Sequence, residues 1–114
     1  MSRSWRSRLE DILDAANTIT RYVAAHDRES FLADDQAVDA VAFNLLAIRE
    51  AAAHVPPQVQ ERAPDIPRHQ MRAMRNVLVH EYFQVDAGVI WATATTSLPP
   101  VLDALRNVLD EDKA

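Results

Sequence analysis

Apolar residues recur along the start of this chain at steps of three and four. Trp5, Leu9, Ile12, Leu13, Ala16, Ile19 and Val23 share one helical face. The pattern predicts a first helix capped by Ser4 and ending near His26, where the chain turns polar. Phe31 and Leu32 stand out as a small apolar plug in the connection that follows. A second helix, capped by Asp34 or Asp35, carries Val38, Val41, Leu45, Ile48, Ala52 and Val55 on its apolar side. Pro56 and Pro57 stop it, because proline lacks the N–H that continues the backbone ladder. Residues 56–67 hold four prolines and predict a connector with room for one short helical turn.

A third helix is expected to begin near Pro67, with Asp65 close to the cap position. Met71, Met74 and Leu78 form its core stripe, while Arg68, Arg72 and Arg75, at i, i+4 and i+7, line the neighbouring face. Asp86 suits the cap of a fourth helix containing Val89, Ile90, Trp91 and Ala94. Ser97 followed by Pro99 and Pro100 predicts the start of a fifth, with Leu98, Val101, Leu102, Leu105, Val108 and Leu109 apolar. The tail from about residue 110 is expected to fray. No segment alternates with period two, so the predicted fold class is all-α: an up-and-down bundle of four to five helices. Trp5 and Trp91 are candidate anchors of the core or of an interface. Asp34, Asp35 and Asp39 suit helix starts, where the dipole favours acids.

At 114 residues the chain has the size of a single domain spanning 1–114. It contains one glycine, which excludes a glycine-rich phosphate loop or dinucleotide fingerprint. It contains no cysteine, which removes disulfides, thiolate metal sites and a cysteine nucleophile, and makes the reducing cytoplasm the simplest home. No apolar run is long enough to span a membrane, and the N-terminus does not read as a signal peptide. His26, His54 and His69 are not grouped with carboxylates at ligand spacing, so they are expected at the surface, with no metal site.

The net charge is −5, whereas a protein that grips long nucleic acid by bulk electrostatics is normally basic. Any such contact must come from a local patch. The stretch from Ile66 to His80 offers one: it holds three arginines, two histidines and no acid. Its end, Arg75-Asn76-Val77-Leu78-Val79-His80-Glu81-Tyr82, contains the constellation Arg-x4-His-x-Tyr. At about 100° per residue, Arg75 and Tyr82 lie roughly 20° apart on a helix, while His80 lies about 140° from Arg75. The three do not converge on one small substrate from a single continuous helix. Either the helix ends near His80, or a second copy completes the site, a two-fold dimer bringing two arginines and two histidines into one cleft.

The chemistry suits phosphodiester cleavage. A histidine titrating near neutrality can take the proton of a ribose 2′-OH or supply one to the leaving oxygen. An arginine can neutralise the charge that develops on the phosphate. No metal or cofactor is required, and dependence on the 2′-OH selects RNA over DNA. Each residue also has an ordinary structural role open to it: an ion pair of Arg75 with Glu81 or Asp65, a hydrogen-bonded packing role for His80, and core or interface aromatics at Tyr82 and Phe83.

The stretch IPRHQMRAMRNVLVHEYFQVDAGVIWATATTSLPPVLDAL resembles the HepT-like toxins of the HEPN superfamily. Shared features are the Arg-x4-His-x-Tyr motif, the Phe-x-Val-Asp stretch after it, the Val-x-Trp segment and the Leu-Pro-Pro start of the last helix. DAVAFNLLAIREAA resembles the second helix of that family, with Asn44 and Glu50 at its characteristic polar positions. The resemblance runs from about Leu9 to Leu109. It implies an all-α homodimer with the motif at the dimer cleft, acting as a metal-independent ribonuclease in a bacterial toxin–antitoxin pair. The implied partner is a small MntA-like nucleotidyltransferase antitoxin that transfers AMP to the motif tyrosine. On this chain the resemblance makes Arg75 and His80 catalytic, Asn76 a residue that orients the site, and Tyr82 the modified residue. Arg68 and Arg72 are candidate RNA contacts.

Three positions depart from the family pattern: Arg68 replaces a common Trp, Phe43 an Arg, and Arg49 a Gly. Two other functions fit the same residues. One is a non-catalytic nucleotide- or phosphate-binding subunit of the nucleotidyltransferase. The other is a structural bundle whose dimer face is the motif.

Overall fold

The computed structural model describes residues 5–53 and 86–113. Within them the chain is all-α, and no described residue lies in a strand. The elements are α1 (Trp5–Ala24), α2 (Arg28–Leu32), α3 (Asp35–Ala53), α4 (Ala87–Ala92), a π-helical turn (Thr93–Ser97) and α5 (Leu98–Lys113). Among the described residues no helix is long and apolar enough to cross a membrane.

α1 and α3 form the principal packed pair, α1 also meets α5, and α2 packs on both α3 and α4. The core is built from the stripes that the periodicity picks out. Leu9, Ile12 and Ile19 of α1 are fully buried, as are Val41, Leu45 and Ile48 of α3 and Leu98, Val101 and Leu105 of α5. Trp5, Leu13 and Val23 flank this core half-buried. Ser4 and Val55 lie outside the described residues.

α1 ends at Ala24, and the exit is tightened by Ala25 N–H to Arg21 O (3.2 Å) and His26 N–H to Val23 O (3.3 Å). The apolar plug after it is a helix in its own right. Asp27 and Ser30 form a reciprocal capping box: the Asp27 carboxylate accepts from Ser30 N–H at 2.8 Å, and Asp27 N–H donates to Ser30 Oγ at 3.1 Å. This single turn inserts Phe31, which is completely buried, against Trp91 with ring centroids 5.1 Å apart. Of the two candidate caps of α3, Asp34 serves: its Oδ1 accepts from Ala37 N–H at 3.1 Å, and Asp35 is the first helical residue.

A fifth helix starts at Leu98, beside the expected Ser97, but it is not set apart from the fourth. α4, the π-turn and α5 follow one another without a break, and Ser97 does not cap a new helix. Pro99 and Pro100 lack N–H groups, and in a regular α-ladder their rings press on the carbonyls of Thr95 and Thr96. The widened turn before them, in which Leu98 N–H reaches back to Thr93 O, relieves that crowding and keeps the helix running. The Thr93 and Thr95 hydroxyls help by donating to the Val89 and Trp91 carbonyls, each at 2.8 Å.

Asp86 caps this rod as expected, accepting from Val89 N–H at 3.1 Å. The only glycine, Gly88, lies in its first turn. A Cβ there would stand 3.3 Å from the capping Asp86 oxygen and 3.4 Å from the Arg28 guanidinium, so its absence lets α2 close over the start of α4. At the far end, α5 continues to Lys113, into the tail expected to fray, with buried Leu109 anchoring its later turns.

Candidate functional site

The motif residues Arg75, Asn76, His80 and Tyr82 lie outside the described residues, as do Arg68 and Arg72. His54, His69, Met71 and Met74 lie outside them too. The structure describes the framework on either side: α3, which leads into residues 54–85, and Asp86, where the described chain resumes.

α3 has two contrasting faces. Its inner side carries buried Val38, Val41, Leu45 and Ile48. On its outer side Asp39, Phe43, Leu46 and Glu50 fall at i, i+4, i+7 and i+11, all exposed. Phe43 is 69% exposed and Leu46 38%, an unusual pair of apolar side chains in solvent on an otherwise acidic face. Asn44 is half-buried, and its Nδ2 donates to Ala40 O at 2.8 Å, so one of its two amide hydrogens is committed to its own helix. Arg49, the long residue at a position expected to be small, is accommodated without loss of packing. Its guanidinium lies 3.7 Å from the exposed Glu50 carboxylate, while Ile48 and Ala51 on either side stay buried.

His26, expected simply at the surface, instead ties the connection together. Its Nδ1 lies 2.8 Å from Tyr22 O and its Nε2 lies 3.1 Å from Asp34 Oδ2, while its ring meets Phe31 edge-on at 5.9 Å. Both partners are acceptors, so both ring nitrogens must donate, and the geometry selects the imidazolium. The Tyr22 carbonyl first, and then the Asp34 carboxylate, raise the His26 pKa above the ordinary 6.5. The Ala37 N–H, and after it His26, lower that of Asp34 below 3.8. With both nitrogens committed, His26 holds no free base for catalysis. Sequence reasoning missed this contact because the two residues are eight apart and meet only once α2 has turned the chain. The available signal was a histidine at a helix end followed by an aspartate at the next cap.

This pair has a defined pH window. The raised His26 pKa stabilises the fold fully below pH 6.5, and that contribution fades as pH rises through the raised folded value. The lowered Asp34 pKa contributes above pH 3.8 and is lost as pH falls through its folded value. Urea midpoints of the wild type should therefore fall relative to those of His26→Gln as pH rises from 6 towards 8.5. Parallel midpoints across that range would show that the imidazolium adds nothing.

A shallow, open groove of about 330 Å³ lies beside this contact, lined by Thr18, Arg21, Tyr22, Ala25 and His26. Arg21 is partly committed there, its Nη2 donating to Thr18 Oγ1 at 3.2 Å. Among the described residues no group of three or more histidines, cysteines or carboxylates is placed to hold a metal ion.

Comparison with known proteins covers this framework and the motif together. The family model described as "Ribonuclease HepT-like" matches residues 12–108. A protein of Thermococcus cleftensis named "Probable ribonuclease HepT" is 36% identical over 99 residues, 87% of this chain and 90% of that relative. A Methanocaldococcus jannaschii protein named "Putative RNase MJ0125" is 29% identical over 109 residues, covering 96% of this chain and 94% of its own. One from Caldanaerobacter subterraneus subsp. tengcongensis, named "Putative RNase TTE0752", is 29% identical over 108 residues, 95% of this chain and 96% of its own. No solved structure matches significantly.

Proposed function

The chain belongs to the ribonuclease HepT-like family, and from that premise we propose that it is a metal-independent endoribonuclease of a toxin–antitoxin pair. The observation that carries this reading is the match over residues 12–108, within which this sequence keeps Arg75-x4-His80-x-Tyr82 intact.

His80 takes the proton of the ribose 2′-OH as that oxygen attacks phosphorus. The bond from phosphorus to the 5′-oxygen breaks, and a protonated histidine supplies the leaving oxygen with its hydrogen. Arg75 binds the scissile phosphate and offsets the charge that builds on it. Asn76 orients the site, and Arg68 with Arg72 extends a basic track for RNA in an otherwise acidic protein. The roughly 140° between Arg75 and His80 on a helix supports a two-fold homodimer, in which the arginine of one copy meets the histidine of the other. Tyr82, nearly in line with Arg75, is the site at which a cognate MntA-like nucleotidyltransferase adds AMP. The added phosphate occupies the arginine and blocks substrate.

The test is cleavage of RNA, including tRNA, and of DNA of the same sequence by purified protein in excess EDTA, with the intact mass measured first. Unmodified protein should cut RNA and leave DNA whole, and protein carrying one added AMP should be silent. Unmodified dimer that leaves every RNA intact would end the nuclease reading in favour of a phosphate-binding subunit of the nucleotidyltransferase.

A further inference from the structure

The groove at the C-terminal end of α1 has a chemistry that the proposed reaction does not use. Its lining, Thr18, Arg21, Tyr22, Ala25 and His26, contains two cationic side chains, an aromatic ring and no carboxylate, in a chain of net charge −5. The carboxylates that act on His26 have other tasks. Asp34 accepts from His26 and from Ala37 N–H, and Asp27 accepts from Ser30 N–H. His26 is thereby balanced by Asp34, and Arg21 carries the net charge of the groove. Arg21 is exposed, and among the described residues it commits one of its five guanidinium N–H groups, to Thr18.

Tyr22 is half-buried and packs on the core, so its ring is held in place before a ligand arrives. A fixed aromatic ring beside a guanidinium with donors to spare suits a nucleotide: the base stacks on the ring and the phosphate meets the fork. The volume of about 330 Å³ is at the lower end for a ligand site, and the groove is open. A free nucleotide needs a pocket that encloses most of its surface, which this groove does not offer. A nucleotide within a strand needs less, because contacts elsewhere already hold the strand. The groove also lies at the end of the bundle where α4 begins. His26 meets Phe31 of α2, and Phe31 meets Trp91 of α4, the helix whose cap Asp86 stands four residues after Tyr82 in the chain. Exposed Arg28, beside the start of α4, is the next cation along the chain.

We infer that Tyr22 and Arg21 form a secondary subsite for an unpaired nucleotide of the RNA substrate, the ring stacking on its base and the guanidinium holding its phosphate. Thr18 keeps the guanidinium at the groove. The choice of occupant rests on the ribonuclease reading, and neither residue takes part in bond breaking.

The test reads binding alone, on the full chain, with a short single-stranded 2′-O-methyl RNA that has no free 2′-OH. The amide resonances of Thr18, Tyr22 and Ala25 should shift saturably as it binds, and more than with free AMP or inorganic phosphate at the same concentration. Arg21→Gln should weaken binding by about three- to tenfold near physiological salt and reduce the slope of log K against log salt by about 0.7, the loss of one phosphate contact. Tyr22→Leu should weaken it by at least about fivefold, while Tyr22→Phe, which keeps the ring, binds like the wild type. Arg21 is exposed, so its variant tests the subsite even where a Tyr22 variant loses stability. Unmoved resonances, or Arg21→Gln with wild-type affinity and slope, overturn the subsite. Equal shifts with free AMP also overturn it and assign the groove to a free nucleotide. No cleavage enters the measurement: a protein that cuts RNA but fails here loses only the subsite, and one that passes here without cutting loses only the nuclease step.

Discussion

His80→Ala should lower RNA cleavage by about 10²–10⁴-fold, the usual contribution of a positioned general acid–base group. Arg75→Ala should lower it by about 10²–10³-fold, as does loss of one group that stabilises developing charge. The two differ in what they leave behind. Without His80 the phosphate still meets a permanently charged guanidinium, so RNA affinity persists while turnover fails. Without Arg75 both affinity and turnover fall, and the affinity that remains loses some of its dependence on salt. Single-turnover cleavage in EDTA, paired with binding of uncleavable 2′-deoxy substrate over a salt series, separates these outcomes. A His80→Ala protein of unmodified mass that cuts as fast as the wild type would remove His80 from the reaction. If instead both variants unfold or fail to assemble, the motif serves as an interface and the third function, a structural bundle, takes precedence.

Phe31→Ala should have the largest effect on stability, about 3–5 kcal/mol. The side chain is fully buried, lies 5.1 Å from the Trp91 ring and receives the His26 ring edge-on. It comes from a single helical turn that has little stability of its own, so removing it also releases α2 from α4. Single domains of this size are stable by about 5–15 kcal/mol, so the loss consumes a large part of the whole. Phe31→Leu, which keeps most of the volume, should cost less than about 1.5 kcal/mol. Urea unfolding followed by tryptophan fluorescence reports both, with Trp91 beside the cavity. A midpoint for Phe31→Ala within about 0.5 kcal/mol of the wild type would mean that the connection is not part of the cooperative core.

The described helices were legible in residue order because a helix repeats every 3.6 residues, and burial follows that period wherever one face must leave water. Leu9–Ile12–Ile19, Val41–Leu45–Ile48 and Leu98–Val101–Leu105 could each be placed in the core on that ground alone. Asp86 could be placed at a cap for an equally local reason, a short acceptor within reach of the free N–H groups of the next turn. The proposed chemistry was read from three residue types at a fixed spacing, within the stretch that the family model matches, and those residues lie outside the described ones.

Other features depend on how distant segments meet. Phe31 and Leu32 stand out in the sequence as an apolar plug, but no neighbouring residue says which surface the plug fills. That follows from α2 docking between α3 and α4. Asp34 could be placed at a cap and His26 was expected at the surface, but their pairing arose only when the fold placed a carbonyl and a carboxylate on the two ring nitrogens. Pro99 and Pro100 signalled the helix that starts at Leu98, but the π-turn that joins it to α4 without a break was not legible in the residue order. Periodicity and capping are properties of a few neighbouring residues and survive in the unfolded chain as tendencies. Burial, protonation and continuity across a proline pair are set by the partners that packing supplies, and those exist only in the folded molecule.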